Sequence, residues 1–354
     1  MNINYLDKFK GAILGLTAGD ILGHPFRGKL RTEIAAEFNF FEKNKDIAAF
    51  EKFIFSNKKK FNTYTNNTQL ALHLTKALIK AKGFDIREVI REFLYWLDDP
   101  PIGQCYSSLS TLKKIKKGIA WNNAASPSAG CGTLARSIPI GLYYCTSSPQ
   151  LEIVAKESSL ITHAHSAPSI GAVVIAKAIA YVLLKSPNSS FSVDEFFNTI
   201  ASSISNLSDV DKTIKEEYID NFYKIMLNLT ISEEAGLIKF SQIGVKSPYF
   251  IEDYLGKAFV HPYALSTVIC SLFLFLKNVQ KHASFKEYLF SFITTGAGST
   301  FGALGGAITG AYFGYLGIPK NFLRFIKDKK TILAIVENLY QTFETHFLKK
   351  NCKY

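Results

Sequence analysis

Between positions 288 and 319 the chain has no charged side chain, and inside that stretch Gly302, Gly306, Gly310 and Gly314 recur at every fourth position. Four steps along a helix return to nearly the same face, so these glycines read as one bare stripe. Such a stripe lets a second backbone come closer than any Cβ would allow, in a membrane dimer or in a soluble core. Two more uncharged stretches, 158–176 and 258–276, have roughly the length of a bilayer span. The first contains His163 and His165, the second His261 and Pro262, and the third is rich in glycine and threonine. Those are poor lipid-facing surfaces. The three stretches read as buried central helices of a large bundle, with no membrane span.

Apolar residues recur at three- and four-residue steps along most of the chain, and the alternating pattern of strands is scarce. The period predicts helices at 6–22, 68–81, 86–97, 107–117, 136–144, 170–184, 193–205, 211–229, 265–279, 304–316 and 332–348. Gly23-His24-Pro25 stops the first, and Asp98-Asp99-Pro100-Pro101 stops the third. Asn, Ser, Thr and Gly mark loops at 62–67, 122–133 and 294–300. Nothing resembles a linker or a low-complexity run, so the expectation is one all-α domain over residues 1–354.

Composition excludes a disordered chain, since 47% of the residues are hydrophobic and only 20% are charged. Lys and Arg number 41 against 29 Asp and Glu, a net charge of +12. Most of the excess is lysine, as in Lys58-Lys59-Lys60 and Lys113-Lys114 with Lys116-Lys117. Lysine is the weaker reader of base edges, and no nucleic-acid fold signature accompanies it. The expectation is no nucleic acid, and a basic surface suited to an acidic or phosphorylated partner. The five cysteines, Cys105, Cys131, Cys145, Cys270 and Cys352, show no CxxC spacing and leave one unpaired. With no signal peptide ahead of Asp7 and Lys8, the chain reads as cytoplasmic, or as exported without a classical signal.

Six segments in order resemble the ADP-ribosylglycohydrolase family. They are the run from Lys10 to Gly23 with Gly11, Gly15, Gly19-Asp20 and Gly23; Tyr64-Thr65-Asn66-Asn67-Thr68-Gln69; and Trp96 with Pro100-Pro101-Ile102-Gly103. Then come Gly130-Cys131-Gly132-Thr133-Leu134-Ala135-Arg136-Ser137-Ile138-Pro139, Ile161-Thr162-His163-Ala164-His165, and Gly296-Ala297-Gly298-Ser299-Thr300 followed by Gly317-Ile318-Pro319. The agreement is strongest over residues 8–320. The resemblance implies a single-domain, orthogonal multi-helix bundle, hydrolysis of the bond joining ADP-ribose to an acceptor, and two Mg²⁺ ions held by paired acids.

Those acids are absent here. Asn66 and Asn67 stand where the family has an Asp pair, and Ala297 and Ser299 where it has an Asp-x-Asp. A hard dication needs oxygen ligands and usually carboxylate charge. The expectation is therefore no bound metal, no cofactor, and loss of the Mg-dependent reaction. Where many members carry a metal-site Glu, this chain has Arg27, whose guanidinium is suited to pair with a diphosphate or a ribose.

The expected ligand is ADP-ribose or an ADP-ribosylated protein. By resemblance it is contacted by Gly130, Cys131 and Gly132, whose loop can present N–H groups to phosphate. Thr65, Asn66, Asn67, Ser299 and Thr300 would line the emptied metal site, with Thr68 adding a hydroxyl. One of His163 and His165, at i and i+2, would reach ligand, and the two would diverge on a helix. Ser166 would offer its hydroxyl to a phosphate or cap a helix. No catalytic residue is assigned. Asp20, read mainly as a cap or packing residue at a Gly19 bend, and Cys131, read mainly as a loop residue, are the candidates. Asp98 and Asp99 read as a solvated helix end. Three functions stay open: a binding protein that has lost hydrolysis, an enzyme of altered chemistry, and a scaffold used only for protein contacts. The divergent segment 187–260 is the place for partner specificity.

Overall fold

A computed structural model describes residues 3–37, 47–103, 105–296 and 298–349. Its centre is a pair of antiparallel helices, Tyr5–Gly23 and Gly298–Phe313, whose facing surfaces are glycine. A Cβ on Gly11 would stand 2.2 Å from the Gly310 carbonyl oxygen, and one on Gly15 would stand 2.1 Å from that of Gly306. On Gly19 it would meet the Gly302 oxygen at 1.9 Å, and on Gly23 the Gly298 oxygen at 2.4 Å. Backbone therefore lies against backbone at four successive levels, which no other residue type permits. The stripe is packed inside the molecule. Gly314 departs from the expectation: the helix ends at Phe313, and Gly314 turns the chain at φ +80°.

Around this pair the helices Asn66–Ala81, Ser166–Leu183, Ala264–Gln280 and Lys329–Phe343 bury their apolar faces. Each Leu, Ile or Phe taken wholly from water there contributes about 1.5–3 kcal/mol. Among the described residues one helix, Ser166–Leu183, is long and apolar enough to cross a membrane, and 89% of it is buried inside the molecule. No strand occurs among the described residues; two isolated bridges, Ser126 with His163 and Gly130 with Tyr263, tie loops together instead.

Val193–Ser205 has the bounds the period implies, and most other helices differ by a few residues. The period alone does not find Arg31–Glu37, Ile47–Ser56, Ser148–Leu160, Glu233–Phe240 or Phe285–Ile293. A signal for the last was available: Ser284 and Glu287 form a reciprocal capping box at its start. The expected 136–144 helix is two pieces, a 3₁₀ turn Ala135–Ser137 and a helix Ile138–Tyr143. The loop expected at 294–300 is partly helix, because Gly298–Phe313 begins at Gly298 and carries Ser299 and Thr300 in its first turn.

Candidate functional site

Asp20 is wholly buried near the end of the first helix. There is no bend at Gly19; the helix runs through it, and Asp20 caps a different helix. Its Oδ2 accepts the backbone N–H of Thr65 at 2.8 Å and of Thr68 at 3.2 Å, and the Thr68 hydroxyl at 2.7 Å. Its Oδ1 accepts the Thr65 hydroxyl at 2.8 Å. Burial raises the Asp20 pKa, and these four bonds offset only part of that rise. The carboxylate thus caps the start of the helix Asn66–Ala81 and holds Thr65 and Thr68 behind the wall of the cleft. Their hydroxyls point to Asp20 rather than to a ligand.

Asn66 and Asn67 do reach the cleft, a cavity of about 280 Å³. Asn67 is already committed: its Nδ2 donates to Thr65 Oγ1 at 2.9 Å, and its Oδ1 accepts from Thr300 Oγ1 at 3.3 Å. Gly103, at φ +87°, passes close enough that a Cβ there would stand 3.1 Å from Asn66 Oδ1. Ser299 and Thr300 line the same cavity from the start of Gly298–Phe313. Cys105 and Ser107 line it from the start of Tyr106–Lys116, a helix with no side-chain N-cap. Three helix N-termini therefore converge on one cavity. Asp20 already meets that of Asn66–Ala81, whereas those of Tyr106–Lys116 and Gly298–Phe313 each bring a partial positive charge. Arg27, exposed at the mouth, adds a full one. Among the described residues no carboxylate lines this wall. Ala297 lies outside the described residues.

The Gly130–Gly132 loop forms another wall, but not as a free set of N–H donors. Gly130 N–H donates to Ser128 Oγ at 3.2 Å and Cys131 N–H to the Pro262 carbonyl at 2.9 Å. Gly132 is needed for a close approach, since a Cβ there would stand 3.1 Å from His163 Nε2. Desolvation pushes the Cys131 thiol up from its usual pKa. That is the setting of an inert thiol, not an activated nucleophile. Cys105, Cys131, Cys145 and Cys270 are free; Cys352 lies outside the described residues.

His163 is held by a buried chain of donors. Arg136 Nη2 donates to Thr162 Oγ1 at 2.7 Å, and Thr162 Oγ1 hydrogen-bonds His163 Nδ1 at 2.8 Å. With the Thr162 O–H turned to Nδ1, the ring is the Nε2–H tautomer, its Nε2 beside Gly132 in the cleft wall. Burial and the Arg136 guanidinium lower the His163 pKa to about 3, so the ring is neutral. His163 and His165 do diverge, though not on a helix. His165 is the N-cap of Ser166–Leu183, its Nδ1 accepting from Ala167 N–H at 3.0 Å. Ser166 caps nothing: its Oγ accepts the Asp211 N–H at 2.8 Å, and it lines neither cavity.

His165 lines a second cavity of about 630 Å³, which shares Ser128, Gly130 and Pro262 with the first. Glu217, Lys246 and Tyr263 line it too; the first two come from the divergent segment 187–260, and none of the three was singled out by its sequence pattern. Cys105 and Ser107 were within reach of sequence reasoning, since they follow the Pro100-Pro101-Ile102-Gly103 segment directly. Phe259 and Thr267 carried no signal. Asp98 is an exposed helix end paired with Lys116 at 2.7 Å, as expected.

A family profile described as ADP-ribosylglycohydrolase matches residues 1–348. An ADP-ribosylhydrolase ARH3 of Xenopus tropicalis is 24% identical over 355 residues, covering 96% of each chain. An ADP-ribosyl-[dinitrogen reductase] glycohydrolase of Rhodospirillum rubrum is 22% identical over 178 residues, covering 50% of this chain and 58% of its own. A solved structure titled ADP-ribosylglycohydrolase-related protein complex superposes with a TM-score of 0.67 at 19% identity, covering 96% of this chain and 99% of its own. That likeness establishes the all-α fold.

Proposed function

Because this chain belongs to the ADP-ribosylglycohydrolase family, we propose that its cleft binds ADP-ribose, free or attached to a protein, without divalent metal and without the metal-dependent hydrolysis. One observation carries the reading: a wall of amides, hydroxyls and helix N-termini with no carboxylate, and Arg27 at its mouth. A pair of Mg²⁺ ions would need several negative ligands. Asn66, Asn67, Ser299 and Thr300 offer none, and the Asn67 carbonyl already accepts from Thr300. This donor set does not fit two dications. It fits an anion, because the charge that a diphosphate requires comes from helix ends and a guanidinium.

In this reading the Arg27 guanidinium and the uncapped start of Tyr106–Lys116 take the diphosphate. His163 Nε2–H donates to a ribose or phosphate oxygen. The rest of the nucleotide extends past Gly130, which lines both cavities, into the second one beside Tyr263 and His165. Isothermal calorimetry with ADP-ribose, first in chelator and then with excess Mg²⁺, tests the proposal. Binding of equal strength in both conditions supports it. Binding that requires Mg²⁺ overturns the metal-free reading, and no binding in either leaves the fold a scaffold for protein contacts.

A further inference from the structure

The helix Tyr106–Lys116 begins at the cleft, where Tyr106 and Ser107 line the wall, and runs outward from it. Tyr106, Ser110, Lys113 and Lys117 are exposed and fall within about 60° of one another around its axis, with Lys114 beside them. Tyr106 is 73% exposed. Lys116, on the flank, is paired with Asp98. Lys113, Lys114 and Lys117 have no carboxylate partner among the described residues. Supply is the cause: the helix contains no acid, and the chain contains none from Pro100 to Leu151. An unpaired cationic ridge thus starts at the mouth of a cavity that itself lacks carboxylates.

We propose that this ridge docks an acidic segment of the protein that carries the nucleotide, so that the molecule selects modification sites with Asp or Glu to one side. The inference rests on the reading that the cleft takes protein-linked ADP-ribose. From Tyr106 to Lys117 the helix rises about 16 Å. An extended peptide covers that in about five residues at roughly 3.3 Å each. The acids therefore lie within about five residues of the modified side chain, and Tyr106 packs on the first of them. Charge of this kind acts mainly on encounter rate and is screened by salt. Three lysines over so short a length, with no arginine on the face, suit a short acidic peptide better than a duplex, whose backbone needs more contacts spread more widely.

The experiment compares two synthetic peptides bearing ADP-ribose on one side chain, with either Glu or Gln at the five following positions. Fluorescence anisotropy is read at low and high salt, on the full chain and on the Lys113→Glu, Lys114→Glu, Lys117→Glu variant. The expected result is that the full chain binds the Glu peptide about three- to tenfold more tightly at low salt. The preference disappears at high salt and in the variant, while free ADP-ribose binds both proteins alike. Equal affinity for the two peptides at low salt overturns the proposal. So does a short DNA duplex that displaces the Glu peptide at equal charge concentration, since the ridge would then be a nucleic-acid surface. The unmodified Glu peptide at high concentration reads the ridge without the cleft. If free ADP-ribose fails to bind but this peptide binds in a lysine-dependent way, the cleft reading falls and the ridge stands. If neither binds, both fall.

Discussion

Thr65 gives Asp20 both of its donors: the backbone N–H reaches Oδ2 at 2.8 Å and the hydroxyl reaches Oδ1 at 2.8 Å. Through this pair the end of the first helix fixes the start of Asn66–Ala81, and so aims Asn66 and Asn67 at the cleft. Asp20→Ala strands the N–H groups of Thr65 and Thr68 in a dry interior, at a cost of about 3 kcal/mol. A urea midpoint lowered accordingly, with ADP-ribose affinity lost at the same time, is the expected outcome. A stability equal to that of the parent chain would remove Asp20 from the framework.

The glycine pairs make a separate demand. Gly306→Ala places a methyl group 2.0 Å from the Gly15 oxygen, where only backbone can yield. The two central helices must then separate along their length, and a loss of about 3 kcal/mol follows from overpacking. Thermal melting monitored by circular dichroism checks this. The same substitution at Gly28, which has nothing within reach of a Cβ but a φ of +81°, should cost about 1 kcal/mol through backbone strain alone.

Arg27 is exposed and is not part of the core. Arg27→Ala should leave the melting temperature unchanged and weaken ADP-ribose binding about tenfold, as expected for one charged hydrogen-bonding group open to solvent. Titration at two salt concentrations would show the parent chain losing affinity as salt rises, and the variant losing less.

Restoring the acids should restore a metal requirement. A chain carrying Asn66→Asp, Asn67→Asp, Ala297→Asp and Ser299→Asp gains four carboxylates, the one at position 67 within reach of buried Asp20. That chain should melt well below the parent in chelator and recover when Mg²⁺ is added, because a ligand that binds only the native state stabilises it. The parent chain should show no Mg²⁺ response. A melting temperature indifferent to Mg²⁺ in the fourfold variant would mean that the backbone no longer frames the ions.

His163 sets a pH dependence. Its pKa is about 3 in the fold against about 6.5 unfolded, so folding prefers the neutral ring. The stability this contributes is complete above pH 6.5 and is lost as pH falls from 6.5 toward 3, because the unfolded chain takes up the proton that the folded one refuses. Between pH 6.5 and 5 the loss is on the order of 1–2 kcal/mol. Urea midpoints across that range should fall more steeply for the parent chain than for His163→Gln.

Much of this was written in the sequence. Helical periodicity, the absence of linkers and the fourfold glycine spacing determine an all-α core with two backbones in contact, since only glycine permits that approach. The order of six motifs located Asn66, Asn67, Gly132, His163, Ser299 and Thr300, all of which line one cavity. Local pattern could not say where each polar group spends its hydrogen bonds, because those partners lie far along the chain. Thr65 and Thr68 look like ligand contacts until Asp20, more than forty residues away, takes their hydroxyls. Ser166 looks like a cap until Asp211 claims its oxygen. His163 shows no Nδ1 partner in the sequence beyond its neighbour; only the fold sets Thr162 there with Arg136 behind it. The convergence of three helix starts on a carboxylate-free wall is likewise a tertiary fact. Helix dipoles act over only a turn or so, and only the packing of Asn66–Ala81, Tyr106–Lys116 and Gly298–Phe313 brings their ends within that range.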